Sequence, residues 1–225
     1  PVGTTGEAPT LSTREKLRVV ELVAEEVNGR VPVLAGCGGY ATREVIELAH
    51  DMEKAGATGL LSVTPYYNKP TPEGLYQHFK AIAQSTSLPV VLYNVPTRTS
   101  INLDVATTAR LSEIPNIVGI KAPGDLVQMS ELVSNTREGF LVLSGDDPVA
   151  VATMVVGGVG VVSVASGRLA REQGDDRRAH LRLARDGVGE LLRVLGLARG
   201  HHHALLRHRR YLQMARQDDE RGRVA

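Results

Sequence analysis

The chain has 225 residues, of which 42% are hydrophobic and 23% charged, and it has no apolar run that approaches the roughly 18 residues of a membrane-spanning helix. Its single cysteine, Cys37, excludes a disulfide framework within one chain and a metal site made only of cysteines. The net charge of +1 combines an acidic stretch, residues 1–165, with 12 Lys and Arg against 17 Asp and Glu, and a basic one, residues 166–225, with 14 Arg against 8 acidic residues.

The first segment, Pro1–Leu11, lacks the basic and apolar regions of a signal peptide, so none is expected. Beyond it, short apolar segments rich in β-branched residues alternate with helical patterns as far as residue 165. These segments are apolar on both faces, which is typical of buried parallel strands. Six strands are predicted, over Val31–Ala35, Gly59–Val63, Val90–Tyr93, Ile117–Ile120, Phe140–Leu143 and Gly160–Val164.

The helices between the strands have recognisable starts. Ser12 and Glu15 form a capping box, in which each side chain accepts from the backbone amide of the other. Elsewhere a capping residue precedes a proline or stands alone before a helical pattern. Further helix starts are predicted at Thr71-Pro72, Asp147-Pro148, Asn102 and Asp125.

Six strands separated by helices predict a βα-repeat fold, either a doubly wound open sheet or a (β/α)8 barrel. Polar residues at the strand ends favour the barrel, because a barrel gathers all its C-terminal strand ends into one ring. Val2–Gly6 then corresponds to the loop after the second strand, and the barrel is expected to be incomplete, without its first strand and helix and most of its second strand. These polar groups include Cys37, Thr64–Asn68, Tyr93-Asn94, Lys121, Ser144–Asp147 and Ser163.

Lys121 is the sharpest chemical signal, because it follows a buried strand. Burial lowers the pKa of an amine, and a neutral amine can attack a carbonyl to form a Schiff base. The alternative is a lysine whose head group reaches solvent from the strand end. Tyr93, at the end of another strand, is either a proton relay or a tyrosine of the core.

Three loops carry weaker signals. Thr4 and Thr5 lie in a turn that suits a carboxylate, or they belong to an ordinary Thr/Gly turn. Arg98 lies in a loop where it could hold a carboxylate or be a solvated surface residue. Tyr66-Tyr67 suggests an interface, a lid or a small loop core. His201–His203 has no spaced partner for a metal site, and no dinucleotide or phosphate-loop motif occurs.

Several motifs in register resemble the dihydrodipicolinate synthase/N-acetylneuraminate lyase family. The resemblance covers about residues 1–165. It implies a (β/α)8 barrel that condenses pyruvate with L-aspartate 4-semialdehyde through a lysine Schiff base. The motifs are Gly3-Thr4-Thr5-Gly6-Glu7, Thr64-Pro65-Tyr66-Tyr67-Asn68, Leu92-Tyr93-Asn94-Val95-Pro96, Thr97-Arg98-Thr99, Gly119-Ile120-Lys121 and Leu143-Ser144-Gly145-Asp146-Asp147.

The resemblance also implies a role for each matching residue. Lys121 matches the lysine that forms the pyruvate imine, and Tyr93 matches the general acid/base. Thr4 and Tyr67 match the remaining members of a proton relay, with Tyr67 expected from a neighbouring subunit. Arg98 matches the residue that receives the semialdehyde carboxylate. The other implied substrate-binding residues are Thr5, Val162 and Gly145.

The family's chemistry implies no metal or organic cofactor, since the imine is itself the electron sink. The resemblance further implies a cytoplasmic enzyme of lysine and diaminopimelate biosynthesis that forms a homotetramer, a dimer of dimers. We expect no nucleic-acid or membrane partner. The alternatives are another pyruvate-dependent aldolase, of the sugar-acid or neuraminate type, and a non-catalytic fragment of the family.

Two stretches depart from the family pattern. Ala122-Pro123 follows Lys121 where the family usually has a glutamate. Residues 166–225 match nothing in the family's final helices, and we interpret them as an incomplete or frame-shifted end. We therefore predict a partial barrel domain over residues 1–165 and an atypical tail over 166–225, helical or disordered and without a catalytic group.

Overall fold

The computed structural model describes residues 1–123 and 125–164. Within them, six parallel strands form one sheet in the order β1-β2-β3-β4-β5-β6, each strand paired with the next along the chain. Helices connect successive strands, which is the pattern of a (β/α)8 barrel wall. The predicted barrel class is confirmed, and the sheet accounts for six of the eight strands of such a barrel.

The elements follow one another as the sequence predicts. The strands are β1 (Leu34–Gly36), β2 (Gly59–Val63), β3 (Val90–Tyr93), β4 (Ile117–Ala122), β5 (Leu141–Ser144) and β6 (Gly160–Val161). The helices are α1 (Thr13–Val27), α2 (Thr42–Lys54), α3 (Pro72–Ser85), α4 (Pro96–Thr99), α5 (Val105–Ser112), α6 (Leu126–Asn135) and α7 (Ala150–Val155), with short 3-10 turns at Ala8–Thr10 and Asp147–Val149.

Two apolar clusters lie on the two faces of the sheet. The larger one joins the outward residues of the strands to the helices and includes Leu60, Leu92 and Ile120. The smaller one lies on the inner face and holds Leu61, Val91, Val95, Val118, Leu143 and the ring of Tyr93. The strands are therefore covered on both faces, which explains their continuous apolar character in the sequence.

The first residues lie beside β1. The amide of Gly36 donates a 3.0 Å hydrogen bond to the carbonyl of Pro1, and Val2 is buried. A Cβ atom at Gly36 would collide with the carbonyl of Val2, so only glycine permits this close approach. Gly3–Glu7 then forms a turn that leads to the 3-10 helix and α1.

Most predicted helix starts are confirmed. The Ser12–Glu15 capping box is formed, and Thr71 and Asp125 accept hydrogen bonds from the first turns of α3 and α6. Asn102 is not a cap, because Asp104 occupies that position on α5. Asp147 lies within a 3-10 turn ahead of α7, and its carboxylate accepts from the amide of Val164.

The strand boundaries differ by a few residues from those predicted. The first strand begins only at Leu34, and the sixth ends at Val161. The described residues contain no helix that is long and apolar enough to cross a membrane. The predicted tail lies outside the described residues, as does His201–His203.

His78, on α3, is a buried histidine that links two helices. Its Nδ1 lies 2.8 Å from Oγ1 of Thr42 at the start of α2. Its Nε2 has no hydrogen-bond partner in the part of the chain that the structure describes. Burial lowers the pKa of this imidazole to about 4.

The lowered pKa predicts a loss of stability in mild acid. Between pH 6.5 and about 4 the unfolded chain binds a proton at His78 that the folded chain does not, so the free energy of unfolding falls as pH falls. The loss attributable to His78 is about 3 kcal/mol at most and is complete near pH 4. Denaturant titrations of wild type and His78→Gln should differ in slope over this range. Parallel pH profiles for the two proteins would contradict the prediction.

Candidate active site

An irregularity in β4 places Lys121 on the inner face of the sheet. Val90 pairs with Ile117, but the next residue, Val91, pairs with Gly119, so Val118 is an extra residue in β4. Because strand side chains alternate between faces, one extra residue reverses the face of everything that follows. Lys121 therefore pairs with Tyr93 and shares the inner face with it.

Gly119 makes room for this irregularity. A Cβ atom there would lie 2.5 Å from the carbonyl oxygen and 2.7 Å from the Cβ of Leu141 on β5. The glycine thus permits β4 and β5 to pair immediately ahead of Lys121. Gly119 belongs to a motif used for the resemblance, but its own role could not be read from the sequence.

Lys121 and Tyr93 form a buried pair. Only 9% of Lys121 and 8% of Tyr93 is exposed, and the Nζ atom lies 4.2 Å from the centre of the tyrosine ring. Burial lowers the pKa of the Lys121 amine, while the carboxylates of Asp146 and Asp147 act in the opposite direction. The result is an amine with a larger neutral fraction than an exposed lysine, which is the form that attacks carbonyl carbons.

Gly145 lies beside this amine. Its amide donates a hydrogen bond of 2.6 Å to the carbonyl of Ala122, and a Cβ atom on it would lie 3.3 Å from Cε of Lys121. Glycine at this position therefore leaves space next to the lysine side chain. Val162, also predicted in the site, packs against the inner cluster, and its amide donates to the carbonyl of Ser144.

A cavity of about 260 Å³ opens from the inner face and brings three predicted residues together. Thr4, Tyr93 and Arg98 all line it. Among the described residues, its lining includes two cationic side chains, Lys16 and Arg98, and no aspartate or glutamate. The cavity therefore suits a small anionic molecule. The other lining residues are Val2, Gly3, Ala8, Pro9, Gly36, Cys37, Gly38, Leu48, Leu61, Val63, Tyr66, Val95 and Thr99.

Five predicted residues do not line this cavity, namely Thr5, Tyr67, Lys121, Gly145 and Val162. Lys121 adjoins it through Tyr93, which lines the cavity and whose ring centre lies 4.2 Å from the Nζ atom. Thr5 is exposed in the Gly3–Glu7 turn, next to Thr4. Tyr67 is 85% exposed and packs its ring 6.2 Å from that of Tyr40, whose other neighbour is Tyr66 at 5.4 Å. Tyr67 thus lies on the surface, beside Tyr40 and outside the cavity that Tyr93 lines.

Cys37 behaves as a small apolar residue, as predicted. It is 1% exposed within the outer cluster, and burial raises the pKa of its thiol to about 12. Among residues 1–123 and 125–164, no group of three or more His, Cys, Asp or Glu side chains could hold a metal ion.

Arg98 lies on α4, a single helical turn that follows β3 directly. Its side chain is exposed at the cavity, while its amide donates to the carbonyl of Val95. Thr99 is buried and donates from Oγ1 to the carbonyls of Val95 and Ile101. The turn is therefore fixed through its backbone and by Thr99, while the Arg98 side chain is exposed at the cavity.

The fold and site together define a βα-barrel protein with a buried amine and a phenol on its inner face. The sequence profile of the dihydrodipicolinate synthetase family matches residues 1–186, more than half of the chain and past the end at residue 165 that we attributed to the resemblance. The chain belongs to this family.

Named relatives agree with the profile. The chain is 54% identical over 165 residues to 4-hydroxy-tetrahydrodipicolinate synthase 1 of Halalkalibacterium halodurans, which covers 73% of the chain and 56% of the relative. It is 56% identical over 166 residues to the 4-hydroxy-tetrahydrodipicolinate synthase of Bacillus subtilis, with 73% and 57% covered. The chain thus matches a little over half the length of these curated relatives.

Solved structures give the same result. The dihydrodipicolinate synthase of Bacillus anthracis aligns with a TM-score of 0.73 and 45% identity over 86% of this chain and 67% of that one. A chloride-inhibited dihydrodipicolinate synthase from Acinetobacter baumannii, complexed with pyruvate, aligns with the same score and identity over 86% and 66%.

Proposed function

We propose that this chain carries the site of a Schiff-base lyase that condenses pyruvate with L-aspartate 4-semialdehyde to give 4-hydroxy-tetrahydrodipicolinate. The observation that carries the proposal is the buried Lys121 amine, 4.2 Å from the ring centre of Tyr93. A buried amine whose pKa is lowered is suited to attack a keto group. The names of the relatives and the pyruvate complex of the Acinetobacter baumannii enzyme support the choice of substrates.

The reaction would begin at Lys121. Its neutral amine attacks the keto carbon of pyruvate, and loss of water leaves an imine. The imine withdraws electrons, so a proton leaves the pyruvate methyl group and an enamine forms. The enamine carbon then attacks the aldehyde carbon of the second substrate, whose oxygen takes up a proton while the imine re-forms. The amino group of the second substrate attacks the imine carbon and displaces the Lys121 amine, which closes the ring and frees the enzyme. Because the imine accepts the electrons, these steps require no further electron sink.

Proton transfers are assigned to Tyr93 with Thr4. Both line one cavity, and the Tyr93 ring lies beside the amine that must lose and regain protons. Tyr67 would complete the relay from a second copy of the chain, which its 85% exposure permits. We accordingly propose a homo-oligomer, a dimer of dimers. Thr5, Gly145 and Val162 are proposed to contact the pyruvate part of the intermediate.

Arg98 is proposed to receive the carboxylate of the semialdehyde. The guanidinium faces a cavity whose described lining residues include no acidic side chain, so an incoming carboxylate meets no repulsion from them. This favours an acidic acceptor over the neutral sugar aldehyde of another pyruvate aldolase. The function is tested by steady-state turnover of purified chain with pyruvate and the semialdehyde. Absence of turnover in a folded sample would favour the non-catalytic alternative.

Arg98→Ala should raise KM for the semialdehyde far more than KM for pyruvate. Loss of a hydrogen bond to a charged group costs about 1.5–3 kcal/mol, or roughly 10- to 150-fold. Arg43→Ala, which removes an exposed guanidinium from α2, provides the control and should leave both constants unchanged. Equal increases in the two KM values for Arg98→Ala would show that Arg98 maintains the loop and does not bind substrate.

A further inference from the structure

A cluster of side-chain amides joins the Arg98 turn to the strand that ends in Tyr93. Asn94 follows Tyr93 directly and is fully buried. Its Oδ1 accepts from the amide of Leu103 at 3.1 Å, and its Nδ2 donates to the carbonyl of Leu103 at 3.4 Å. The same Nδ2 donates to Oδ1 of Asn102 at 2.7 Å. Asn94 thus binds the chain where it leaves the Arg98 turn.

Gln128 adds a third element to the cluster. From α6, its Nε2 donates to Oδ1 of Asn102 and to the carbonyl of Leu103, both at 3.4 Å. Oδ1 of Asn102 therefore accepts from two amide groups, one from each side. The helix α6 follows β4, so the cluster connects the Arg98 turn to the element after Lys121 as well.

A backbone bond completes the connection. The amide of Asn94 donates to the carbonyl of Lys121 at 2.9 Å. Asn94 consequently holds the candidate nucleophile's strand through its main chain and the Arg98 turn through its side chain. Between Asn94 and Asn102 lie residues 95–101, which comprise Val95, α4, Ser100 in the left-handed region at a φ of 56°, and Ile101. The guanidinium itself is exposed, so its position depends on how firmly this backbone is held.

We propose that Asn94, Asn102 and Gln128 form a positioning clip that sets where Arg98 stands relative to Lys121 and so determines affinity for the carboxylate of the acceptor. The effect on acceptor affinity rests on the proposed function, whereas the hydrogen bonds that make the clip do not depend on it. None of the three touches the reacting atoms, so they are positioning residues. If these residues position Arg98, removing one of their hydrogen bonds should raise KM for the semialdehyde relative to KM for pyruvate. If they only stabilise the fold, the removal should lower stability and leave the ratio of these two KM values unchanged.

Asn102 offers the cleanest test, because it is exposed and its replacement leaves the core intact. Asn102→Ala removes the acceptor shared by Asn94 and Gln128. Asn102→Asp keeps an oxygen that can accept from both and should restore wild-type behaviour. The matched control is Asn116→Ala, which removes an amide bonded to the carbonyls of Ala83, Thr86 and Leu88 ahead of β4.

Two measurements on the full chain test the clip, namely backbone hydrogen exchange and KM for the semialdehyde. In Asn102→Ala, hydrogen exchange of the backbone amides of residues 95–103 should accelerate roughly 5- to 30-fold, the loss expected for one or two hydrogen bonds. KM for the semialdehyde should rise by a similar factor, while the rate of borohydride-trapped pyruvate adduct formation stays within about two-fold. Asn102→Asp and Asn116→Ala should leave the exchange of residues 95–103 and the ratio of KM values close to wild type.

Different results would contradict the clip and the proposed lyase function. Unchanged exchange in Asn102→Ala, or an equal rise in both KM values, would overturn the clip while wild-type turnover still stands. If wild type lacks turnover but Asn102→Ala accelerates exchange and Asn102→Asp does not, the clip is supported and the proposed function fails. Failure of Asn102→Asp to restore the exchange rate would overturn the clip, since the shared acceptor is its central element.

Discussion

Replacing Lys121 with methionine is expected to abolish turnover of pyruvate and L-aspartate 4-semialdehyde, by a factor on the order of 10³ or more, as for removal of a covalent nucleophile. Methionine has nearly the length of lysine and no charge, so it suits a site that is 9% exposed and lies against the Tyr93 ring. The folded structure should therefore persist while the amine is lost. Steady-state kinetics and circular dichroism measure the two effects separately.

Lys54→Met is the matched control. Lys54 lies at the end of α2, is 76% exposed and pairs with Asp51 at 2.9 Å on the surface. An exposed pair of this kind contributes little to stability, so the variant should retain both fold and turnover. Substantial turnover in Lys121→Met, with the control unchanged, would remove Lys121 from the covalent step.

Gly119→Ala is expected to lower the free energy of unfolding by about 3 kcal/mol, at the upper end of overpacking effects, and to slow adduct formation at Lys121. The added Cβ would lie 2.5 Å from the Leu141 carbonyl oxygen, and β4 and β5 cannot move apart without losing their pairing. Because Gly119 lies two residues before Lys121, any shift of the strand also moves the amine away from Tyr93. Denaturant unfolding and the rate of borohydride trapping measure the two consequences.

Gly59→Ala makes the same change in β2 at a more tolerant position. Its nearest neighbour would be Cδ1 of Leu34 at 3.2 Å, the end of a flexible side chain that can turn aside. This variant should lose clearly less stability and leave trapping at Lys121 unchanged. Equal decreases in the free energy of unfolding of the two variants would show that the irregularity in β4 does not require glycine at position 119.

The barrel could be predicted from the sequence because each strand and helix is marked by residues that are close together in the chain. Apolar runs of four or five residues mark the strands, and caps such as the Ser12–Glu15 capping box mark the helix starts, without knowledge of the rest of the chain. The expectation that polar strand ends meet came from barrel geometry, and in the structure Lys121 and Tyr93 pair on neighbouring strands.

The inward direction of Lys121 could not be derived from periodicity. Ile117 faces the helices, and simple alternation places Lys121, four residues later, on the same face. The extra residue Val118 reverses that face, and it is visible only once β3 and β4 are paired. A strand irregularity depends on pairing between distant segments, and a single strand's pattern does not encode it.

The amides around the Arg98 turn were missed for a related reason. Asn102 resembled a helix cap because it precedes a helical pattern, but Asp104 stands two residues nearer to α5 and accepts from Thr107. Asn102 instead bonds to Asn94, which directly follows β3, and to Gln128 of α6. Such contacts join residues up to 26 positions apart, where local propensity carries no information.

The most direct test of the account is reduction with borohydride in the presence of pyruvate, followed by peptide mass spectrometry of the full chain. The account predicts one reduced pyruvate adduct, located on Lys121 and absent when pyruvate is omitted or Lys121 is replaced by methionine. An adduct on another lysine with Lys121 unmodified, or no adduct in a folded sample, would contradict it.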